Sequence, residues 1–387
     1  LVFQLTKPVL EIKSAAKRVL ERNMTNKKIT IQNLADQLGI SKGTVSRALH
    51  GYKDVSSTTR QRVKQAAKEL GYQPSVVAQG IKTGLARSVG LVLLPESRIK
   101  SRPFLMQFIN GISTAIAKHG YTLTVATAQS DQEMVDLHRN LFVQRKVDGF
   151  IIPRTMHSDP RIQVLDQLHA PFVLYGQTEK PLEYSWFDID QITCFQWAAT
   201  QMLDSGHSNL VFLGGDSQLF YNTLRRKGVE LAIQQHPRRG KIQFKVLENI
   251  TTVEEGFANA RALLAPPEPP TVFLCALDFA ALGVIQAIKQ LDLLPGKHVS
   301  VIGYEGIPEG EFIEPTLTTF LVDQYEAGAQ CGTKLMQLIL EKEKEVSGTL
   351  KMPAFLERAS AGPAHLSSAE LAGLLSQRSS FQEVPSN

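Results

Sequence analysis

Residues 30–50, TIQNLADQLGISKGTVSRALH, carry the pattern of two short helices joined by a tight turn. In the first half, apolar residues recur at the i, i+3, i+4, i+7 spacing of one buried helix face: Ile31, Leu34, Ala35 and Leu38. Thr30 is placed to cap this helix, Gly39 to end it, and Ser41 to cap a second one. The stretch therefore predicts a helix-turn-helix unit.

The second predicted helix has an apolar face and a polar face. Val45, Ala48 and Leu49 point inward. The outward positions are suited to a DNA groove and comprise Lys42, Gly43, Ser46, Arg47 and His50. A helix fits the major groove, where Arg and Lys pair best with guanine. On these two helices alone, the alternative is an ordinary αα-hairpin whose basic face is simply solvated.

A third helix is predicted from Ser56 or Ser57, with Gly71 just beyond its end. Residues 31–49, IQNLADQLGISKGTVSRAL, and residues 55–75, VSSTTRQRVKQAAKELGYQPS, closely resemble the DNA-binding headpiece of the lactose-repressor (LacI) family. This resemblance implies a transcriptional regulator, most often a repressor, that binds a near-palindromic operator in double-stranded DNA as a homodimer. It places the helix-turn-helix domain at residues 24–73.

By the same resemblance, base contacts are expected from Lys42, Gly43 and Arg47. Gly43 has no side chain to read a base, although it could let the backbone approach the groove closely. Ser41, Thr44 and Ser46 are placed to contact phosphates. The remaining expected DNA-binding residues are Thr30, His50, Tyr72, Ala78 and Ile81.

Residues 74–87 resemble the family's hinge and linker. A helix of one or two turns is expected here, too short to be stable alone. In the family, two such helices pack in the minor groove and insert a leucine between base pairs, a position that Ile81 occupies in this chain. Gly80 beside it weakens a helix. The alternative is a plain linker with Ile81 covering the body.

From Ser88 onward, short apolar strands alternate with amphipathic helices. Strands are predicted at residues 89–94, 121–127, 149–153, 171–176, 209–215, 244–249, 271–277 and 300–305. Helices are predicted at residues 104–120, 133–146, 195–207, 225–236, 253–265 and 279–291. Two consecutive βαβ series predict an α/β body of two parallel-sheet lobes, with ligand sites outside the carboxyl ends of the strands.

This series resembles the two-lobed, periplasmic-binding-protein-like body of the same family, here residues 88–360. Lobe 1 is expected at about 88–187 and 321–350, and lobe 2 at about 190–319 and 352–360. The chain should cross between lobes near residues 187–191, 319–322 and 351–353. Residues 1–23 match nothing in the family. Residues 361–387 lack the heptads of a coiled coil, so a flexible tail or a small docking helix is expected.

Polar residues that follow the predicted strands are candidates for an effector site. Arg225 matches the arginine with which sugar- and purine-binding relatives grip their effectors, and Asp278 and Glu305 follow strands. Carboxylates and guanidinium groups can each bond two adjacent sugar hydroxyls. Further candidates at strand ends are Ser97, Phe104, Arg154 and Trp186, each of which has a surface or lobe-interface role as its alternative.

Two residues depart from the pattern of sugar-binding relatives. Leu277 stands where many of them have Asn, and Glu305 stands where they have Asp. The pocket should therefore be reshaped relative to theirs. A sugar-like effector is expected because of its prevalence in the family, and the sequence leaves open whether it induces or co-represses.

The net charge of +5 is unevenly distributed along the chain. Residues 24–88 hold eleven Lys and Arg against three Asp and Glu, whereas the chain beyond them is mildly acidic. A basic head on an acidic body is typical of a nucleic-acid-binding protein whose body has another task.

The three cysteines, Cys194, Cys275 and Cys331, lie far apart and suggest buried thiols in a reducing cytoplasm. No metal, cofactor or membrane contact is expected, since no ligand spacing or long apolar run is present. The alternatives are an α/β enzyme and a solute-binding receptor. The first lacks a G-x-G-x-x-G loop, a serine elbow and paired carboxylates. The second would need an export signal and no DNA-binding head.

Overall fold

The computed structural model describes residues 29–72, 84–93, 105–180, 183–265, 267–341 and 346–382. It divides into two compact units, Leu1–Leu85 and Ala86–Asn387. The predicted contacts of Ala78, Ile81, Ser97 and Phe104 lie outside the described residues.

In the first unit, the expected helices form: α1 (Ile31–Leu38), α2 (Lys42–Leu49) and α3 (Ser57–Glu69). Thr30, Ser41 and Ser56 cap them. Gly39 ends α1 at φ 63°, a left-handed conformation that favours glycine. The buried residues of this unit pack into one small core: Leu34, Ala35, Val45, Ala48, Val55, Val63, Ala66 and Ala67. The polar face of α2 is therefore turned to solvent.

The second unit alternates strands and helices. In chain order these are β1 (Ser88–Leu93), α4 (Leu105–Ala117), β2 (Thr122–Thr127), α5 (Asp131–Val143), β3 (Gly149–Pro153), α6 (Pro160–Gln167), β4 (Phe172–Tyr175), β5 (Trp186–Ile189), α7 (Gln191–Asp204), β6 (Asn209–Leu213), α8 (Phe220–Gln235), β7 (Gln243–Leu247), α9 (Val253–Leu264), β8 (Val272–Cys275), α10 (Asp278–Gln290), β9 (Ser300–Glu305), β10 (Thr318–Leu321), α11 (Gln324–Met336), β11 (Gly348–Lys351), β12 (Ala354–Leu356) and α12 (Ser368–Gln382).

Two six-stranded sheets form the cores of two lobes. Lobe 1 has the order β11-β5-β4-β3-β1-β2 with parallel pairing throughout, and lobe 2 has the order β12-β10-β9-β8-β6-β7. Strand β12 pairs antiparallel with β10, so lobe 2 is a mixed sheet and not the all-parallel sheet expected. An edge strand has a single neighbour, and no crossover helix fixes its direction.

The chain passes between the lobes three times: after β5, after β10, and between β11 and β12. Each crossing follows a strand that ends at the same edge of its sheet as the neighbouring parallel strands. Residues just beyond these strands therefore face the space between the lobes.

Within residues 361–382, the described part of the C-terminal segment, a helix docks on lobe 2, which is one of the two outcomes expected. In α12, Leu371 is fully buried in the lobe 2 core, and Leu374 and Leu375 pack against that core. Arg378 donates a hydrogen bond to the carbonyl of Leu291 at 3.1 Å. The leucines at i, i+3 and i+4 give the helix one apolar side, which lobe 2 covers.

The three cysteines are buried and unpaired. Within the described residues, no helix has the length and apolar character needed to cross a membrane.

Candidate functional site

The exposed face of α2 carries the predicted base-reading residues. Lys42, Gly43, Arg47 and His50 are exposed, whereas Val45 and Ala48 are fully buried. At the start of the helix, the Ser41 hydroxyl accepts a hydrogen bond from the Thr44 amide at 3.1 Å and lies 2.9 Å from the Thr44 hydroxyl. These contacts cap the first turn of α2, from which the outward side chains project.

Arg47 is held by a neighbouring acid. Its Nε lies 3.3 Å from Oδ2 of Asp54, and both side chains are about half exposed. An exposed pair of this kind contributes only about 0–1 kcal/mol. Asp54 can therefore orient the guanidinium in the free protein and still release it to a base or a phosphate.

Gly43 leaves open space on the outward face of α2. A Cβ atom there would meet only the Ser41 hydroxyl at 3.7 Å and the Arg47 guanidinium at 3.9 Å, both ordinary contacts. The absence of a side chain is therefore not imposed by packing within the unit. It is consistent with a close approach to a partner.

The other predicted DNA-binding residues of this unit occupy supporting positions. Thr30 forms a capping box with Asn33 at the start of α1. Ser46 accepts a hydrogen bond through its carbonyl from the His50 ring at 2.6 Å. Tyr72 packs against the headpiece core, where burial raises the pKa of its phenol.

A cleft of about 520 Å³, its open mouth included, lies between the two lobes of the body. Lobe 1 lines it with Arg154, Thr155, Tyr175, Gly176, Asp188 and Gln324; lobe 2 lines it with Gln191, Tyr221, Arg225, Leu277, Tyr304 and Glu305. These residues lie near the carboxyl ends of the strands, just beyond those ends, or in the first two turns of a following helix. The cleft is where a ligand site of a parallel α/β sheet is expected.

Arg225 stands between two aromatic rings. Its guanidinium carbon lies 3.7 Å from the ring centre of Tyr304 and 4.3 Å from that of Tyr221. Its Nε donates to Gln191 Oε1 at 2.8 Å, and another N–H donates to the carbonyl of Ala276. These contacts fix the guanidinium plane, so a ligand meets a pre-oriented donor.

A second arginine joins the lobes across the cleft. Arg154 directly follows β3, and Glu305 is the last residue of β9. Nη2 of Arg154 lies 3.8 Å from Oε1 of Glu305, and both side chains are nearly buried. Both backbones are in positive-φ conformations, at 53° and 123°. Burial raises the pKa of Glu305, and the two arginines oppose that rise.

Asp188 is the second buried carboxyl of the cleft. It accepts hydrogen bonds from the Ile189 amide at 2.8 Å, from Gln177 at 3.2 Å and from Gln191 at 3.3 Å. Burial raises its pKa to about 6 despite these bonds and the nearby Arg225. At neutral pH it is therefore mostly an anion that can accept hydrogen bonds from a ligand.

Three tyrosines complete the lining. Tyr175 donates to Gln324 Oε1 at 2.9 Å and stacks on Phe108. The Tyr304 hydroxyl is buried and has no hydrogen-bond partner among the described residues. Burial raises the pKa of Tyr175, Tyr221 and Tyr304, so all three remain neutral donors.

Several lining residues were missed at the sequence level, namely Thr155, Tyr175, Asp188, Gln191, Tyr221, Tyr304 and Gln324. Tyr175 lies in the predicted strand 171–176, one residue before its end, and Asp188 and Gln191 stand at a predicted lobe crossing. None of the three directly follows a predicted strand, so the rule that selected Arg154 did not select them.

Two predicted ligand residues do not line the cleft. Asp278 is fully buried and accepts hydrogen bonds from the amides of Gly306 and Ile307, at 2.7 and 2.9 Å. Burial raises its pKa to about 6. It holds the backbone that follows Glu305. Trp186 lies in β5, where its indole covers the position of Gly348 in β11. Asp278 thus supports a wall of the cleft from behind, whereas Trp186 is the first residue of β5 and does not stand at its carboxyl end.

Comparison with known proteins decides the family. The profile described as "Bacterial regulatory proteins, lacI family" matches residues 30–75, and "Periplasmic binding proteins and sugar binding domain of LacI family" matches residues 86–360. The transcriptional regulator AglR of Rhizobium meliloti (strain 1021) is 33% identical over 87% of this chain and 95% of its own length. The chain belongs to the LacI family. It is thus a helix-turn-helix transcriptional regulator and not an enzyme.

Other LacI-family proteins also match this chain over most of its length. The regulator RafR of Escherichia coli is 33% identical over 74% of this chain and 84% of its own length. Among solved structures, the lac repressor dimer bound to operator and the anti-inducer ONPF aligns with a TM-score of 0.74 at 23% identity, covering 86% of this chain and 99% of that one. That similarity establishes a shared fold, in which a headpiece precedes a two-lobed body.

Proposed function

We propose that this LacI-family regulator is a repressor of carbohydrate-utilisation genes and that a neutral sugar of one or two rings, bound between the lobes, controls it. The observation that carries the proposal is the charge balance of the cleft. Two guanidinium groups, from Arg154 and Arg225, face two carboxyl groups, from Asp188 and Glu305.

A balanced set of charges favours an uncharged, polyhydroxylated ligand. An anion would leave the carboxylates unpaired, and a cation would do the same to the arginines, at a cost of several kcal/mol for a buried charge. Carboxylates and guanidinium groups pair with adjacent hydroxyls, and tyrosine rings offer flat surfaces to a sugar.

Two related solved structures contain sugars. The regulator CelR was solved with cellobiose, at 24% identity to this chain and a TM-score of 0.63. A LacI-family regulator of Enterococcus faecium was solved with ribose. These relatives support a sugar as the class of ligand. Which sugar binds is determined by the residues that line this cleft.

Control of DNA follows from linkage between the two sites. We infer a homodimer in which two α2 helices read two half-sites of a near-palindromic operator. A sugar that binds the closed lobes more tightly than the open ones shifts the population of dimers able to hold both half-sites. The proposed place of action is the cytoplasm, where chromosomal operators are accessible.

A thermal-shift screen tests the ligand class directly. We expect at least one neutral sugar from a set of cellobiose, maltose, lactose, sucrose and ribose to raise the melting temperature by mass action. The same sugar should leave the Arg225→Ala variant unshifted, while Arg358→Ala, altered away from the cleft, should respond as the parent protein does. Stabilisation by sugar phosphates or nucleobases alone would contradict the proposal.

A further inference from the structure

The loop that follows β3 connects the effector cleft to the opposite lobe. Arg154 opens it and lines the cleft. Residues 155–157, which follow directly, run along a segment of lobe 2 that precedes and begins α8. Residues 154–158 are called the coupling loop here.

Hydrogen bonds join the coupling loop to lobe 2. Met156 and Leu219 form an antiparallel bridge. The Phe220 amide donates to the carbonyl of Thr155 at 2.9 Å, and the His157 amide donates to the carbonyl of Gln218 at 3.2 Å. The backbones of the two lobes are thus paired as in a short β-ladder.

Side chains strengthen this pairing. Nε2 of His157 lies 2.9 Å from the Thr223 hydroxyl, and the imidazole meets the Phe220 ring edge-on at 5.1 Å. Leu219, from lobe 2, is 1% exposed and packs in a hydrophobic cluster that otherwise consists mainly of lobe 1 residues. An apolar side chain of one lobe is therefore inserted into the other.

A fully buried ion pair in lobe 1 is hydrogen-bonded to the backbone of the coupling loop. Asp159 and Arg161 form two hydrogen bonds, at 2.6 and 2.9 Å, and their side chains are at most 1% exposed. Arg161 also donates to the carbonyls of Pro153 and Arg154, both at 3.0 Å. Asp159 accepts from the Met156 amide at 3.1 Å. The pair thus bonds to the start and to the middle of the loop.

The partner segment in lobe 2 also reaches the cleft. Phe220 and Thr223, which touch the coupling loop, stand on the first turn of α8 beside Tyr221 and one turn before Arg225. Tyr221 and Arg225 line the cleft. In each lobe, the residues that contact the opposite lobe are therefore close in sequence to residues that line the cleft.

We propose that the buried Asp159–Arg161 pair is a positioning element for effector binding: it presents Arg154 to the ligand and the coupling loop to lobe 2 in one rigid piece. Ligand contact at Arg154 and closure at Met156–Leu219 are then a single event. The proposal rests on the function proposed above, because it explains how a ligand bound in that cleft changes the contact between the two lobes.

The first test replaces the pair by apolar residues of similar size. Buried ion pairs exchanged in this way often leave stability unchanged, so Asp159→Leu with Arg161→Met should fold. In protein without ligand, we expect hydrogen exchange of the His157 and Phe220 amides to accelerate about tenfold or more, equivalent to about 1.4 kcal/mol. The matched control is Glu311→Leu with Arg358→Met, which removes an ion pair away from the loop and should leave both amides unchanged.

Unchanged exchange at the two amides in the Asp159→Leu, Arg161→Met protein would overturn the positioning role. If that protein does not fold, the milder Asp159→Asn variant, which keeps the size of the side chain and removes its charge, provides the same measurement. Fast exchange of these amides already in the parent protein would show that the bridge does not persist in solution, and would also overturn the proposal.

The second test locks the coupling loop. Partners in an antiparallel bridge have Cα atoms about 4.5–5.5 Å apart, which suits a disulfide, so Met156→Cys with Leu219→Cys should cross-link on oxidation. We expect the oxidised protein to differ about tenfold or more from its reduced form in affinity for a DNA fragment selected by the parent protein, with no sugar present. Each single-cysteine variant, which cannot form this cross-link, should show no such difference.

Equal DNA affinity of the oxidised and reduced forms, in a protein that binds its selected DNA, would overturn the coupling while leaving the proposed function intact. Failure of the parent protein to select any DNA would instead defeat the proposed function. The exchange of the His157 and Phe220 amides would then decide the positioning role by itself.

Discussion

Two buried aspartates shape the walls of the cleft. Asp188 faces the ligand space, whereas Asp278 holds the loop after Glu305 from behind. Burial raises the pKa of each to about 6, above the ordinary value of 3.8. A carboxyl whose pKa is higher in the folded state favours folding below the unfolded pKa. That contribution is lost as the pH rises through the folded pKa.

We predict that Asp188→Asn makes the stability less dependent on pH. The parent protein should lose free energy of unfolding between about pH 4 and pH 7, with Asp188 contributing roughly 2–3 kcal/mol of that loss. Urea unfolding at the two pH values measures the difference. The exposed Asp166→Asn variant serves as control and should follow the parent, and an identical pH slope for Asp188→Asn would refute the prediction.

We predict that Arg47→Ala weakens specific DNA binding by about 1–3 kcal/mol, because it removes a side chain able to pair with guanine. Fluorescence anisotropy with a selected operator and a scrambled fragment separates specific from nonspecific loss. Asp54→Ala, which removes the partner of Arg47 in the free protein, should bind as well as the parent or better. Equal affinities of Arg47→Ala and parent for the operator would exclude Arg47 from base reading.

The sequence located some cleft residues but could not rank them. Arg225 was found because it matches the arginine with which relatives grip their effectors. Arg154 and Glu305 were found because polar residues at the ends of parallel strands face one edge of the sheet. Asp278 satisfies the same rule, yet its carboxyl turns back to the Gly306 and Ile307 amides. Which way a side chain turns depends on the next loop, and a strand-end pattern does not contain that information.

At the scale of elements, helix α2 combines a fixed inner face with an open outer one. Its caps and buried residues are local consequences of the sequence, so residues 30–50 predicted them well. The short strands β5, β10, β11 and β12 were not predicted as strands, since runs of three or four residues are too few to show a period. Their position depends on where the chain returns between lobes.

We predict that Gly43→Ala stabilises the headpiece by about 0.5–1 kcal/mol, because glycine is the poorer helix former and the space around it is open. The same change should lower or alter DNA binding if Gly43 lies against the groove. Denaturant unfolding together with operator titration measures both effects. Loss of stability would show that the glycine is required by the fold.

We predict that Leu371→Ala costs about 2–5 kcal/mol, since a fully buried leucine that joins α12 to lobe 2 leaves a cavity. Chemical denaturation with a probe on lobe 2 gives the value. Ser376→Ala, on the exposed side of the same helix, should remain within about 0.5 kcal/mol of the parent. A small effect of Leu371→Ala would mean that α12 detaches readily in solution.

At the scale of the whole molecule, a DNA-binding headpiece is joined to a two-lobed body with a charge-balanced cleft. The two were predictable from the sequence because each is built from periodic, local patterns. The coupling loop was not, since Met156 and Leu219 are far apart in the chain and meet only in the folded molecule. The function of the whole depends on whether events in the cleft reach the headpiece.

The most direct measurement is an operator titration of the parent protein and of Arg225→Ala, each with and without the sugar identified by thermal shift. We expect the sugar to change the operator affinity of the parent by about 5–150-fold, the usual range of allosteric coupling. Arg225→Ala should bind the operator with the parent's sugar-free affinity and show no response. If the variant responds to the sugar as the parent does, or if the sugar never alters DNA binding by the parent, the central claim is contradicted.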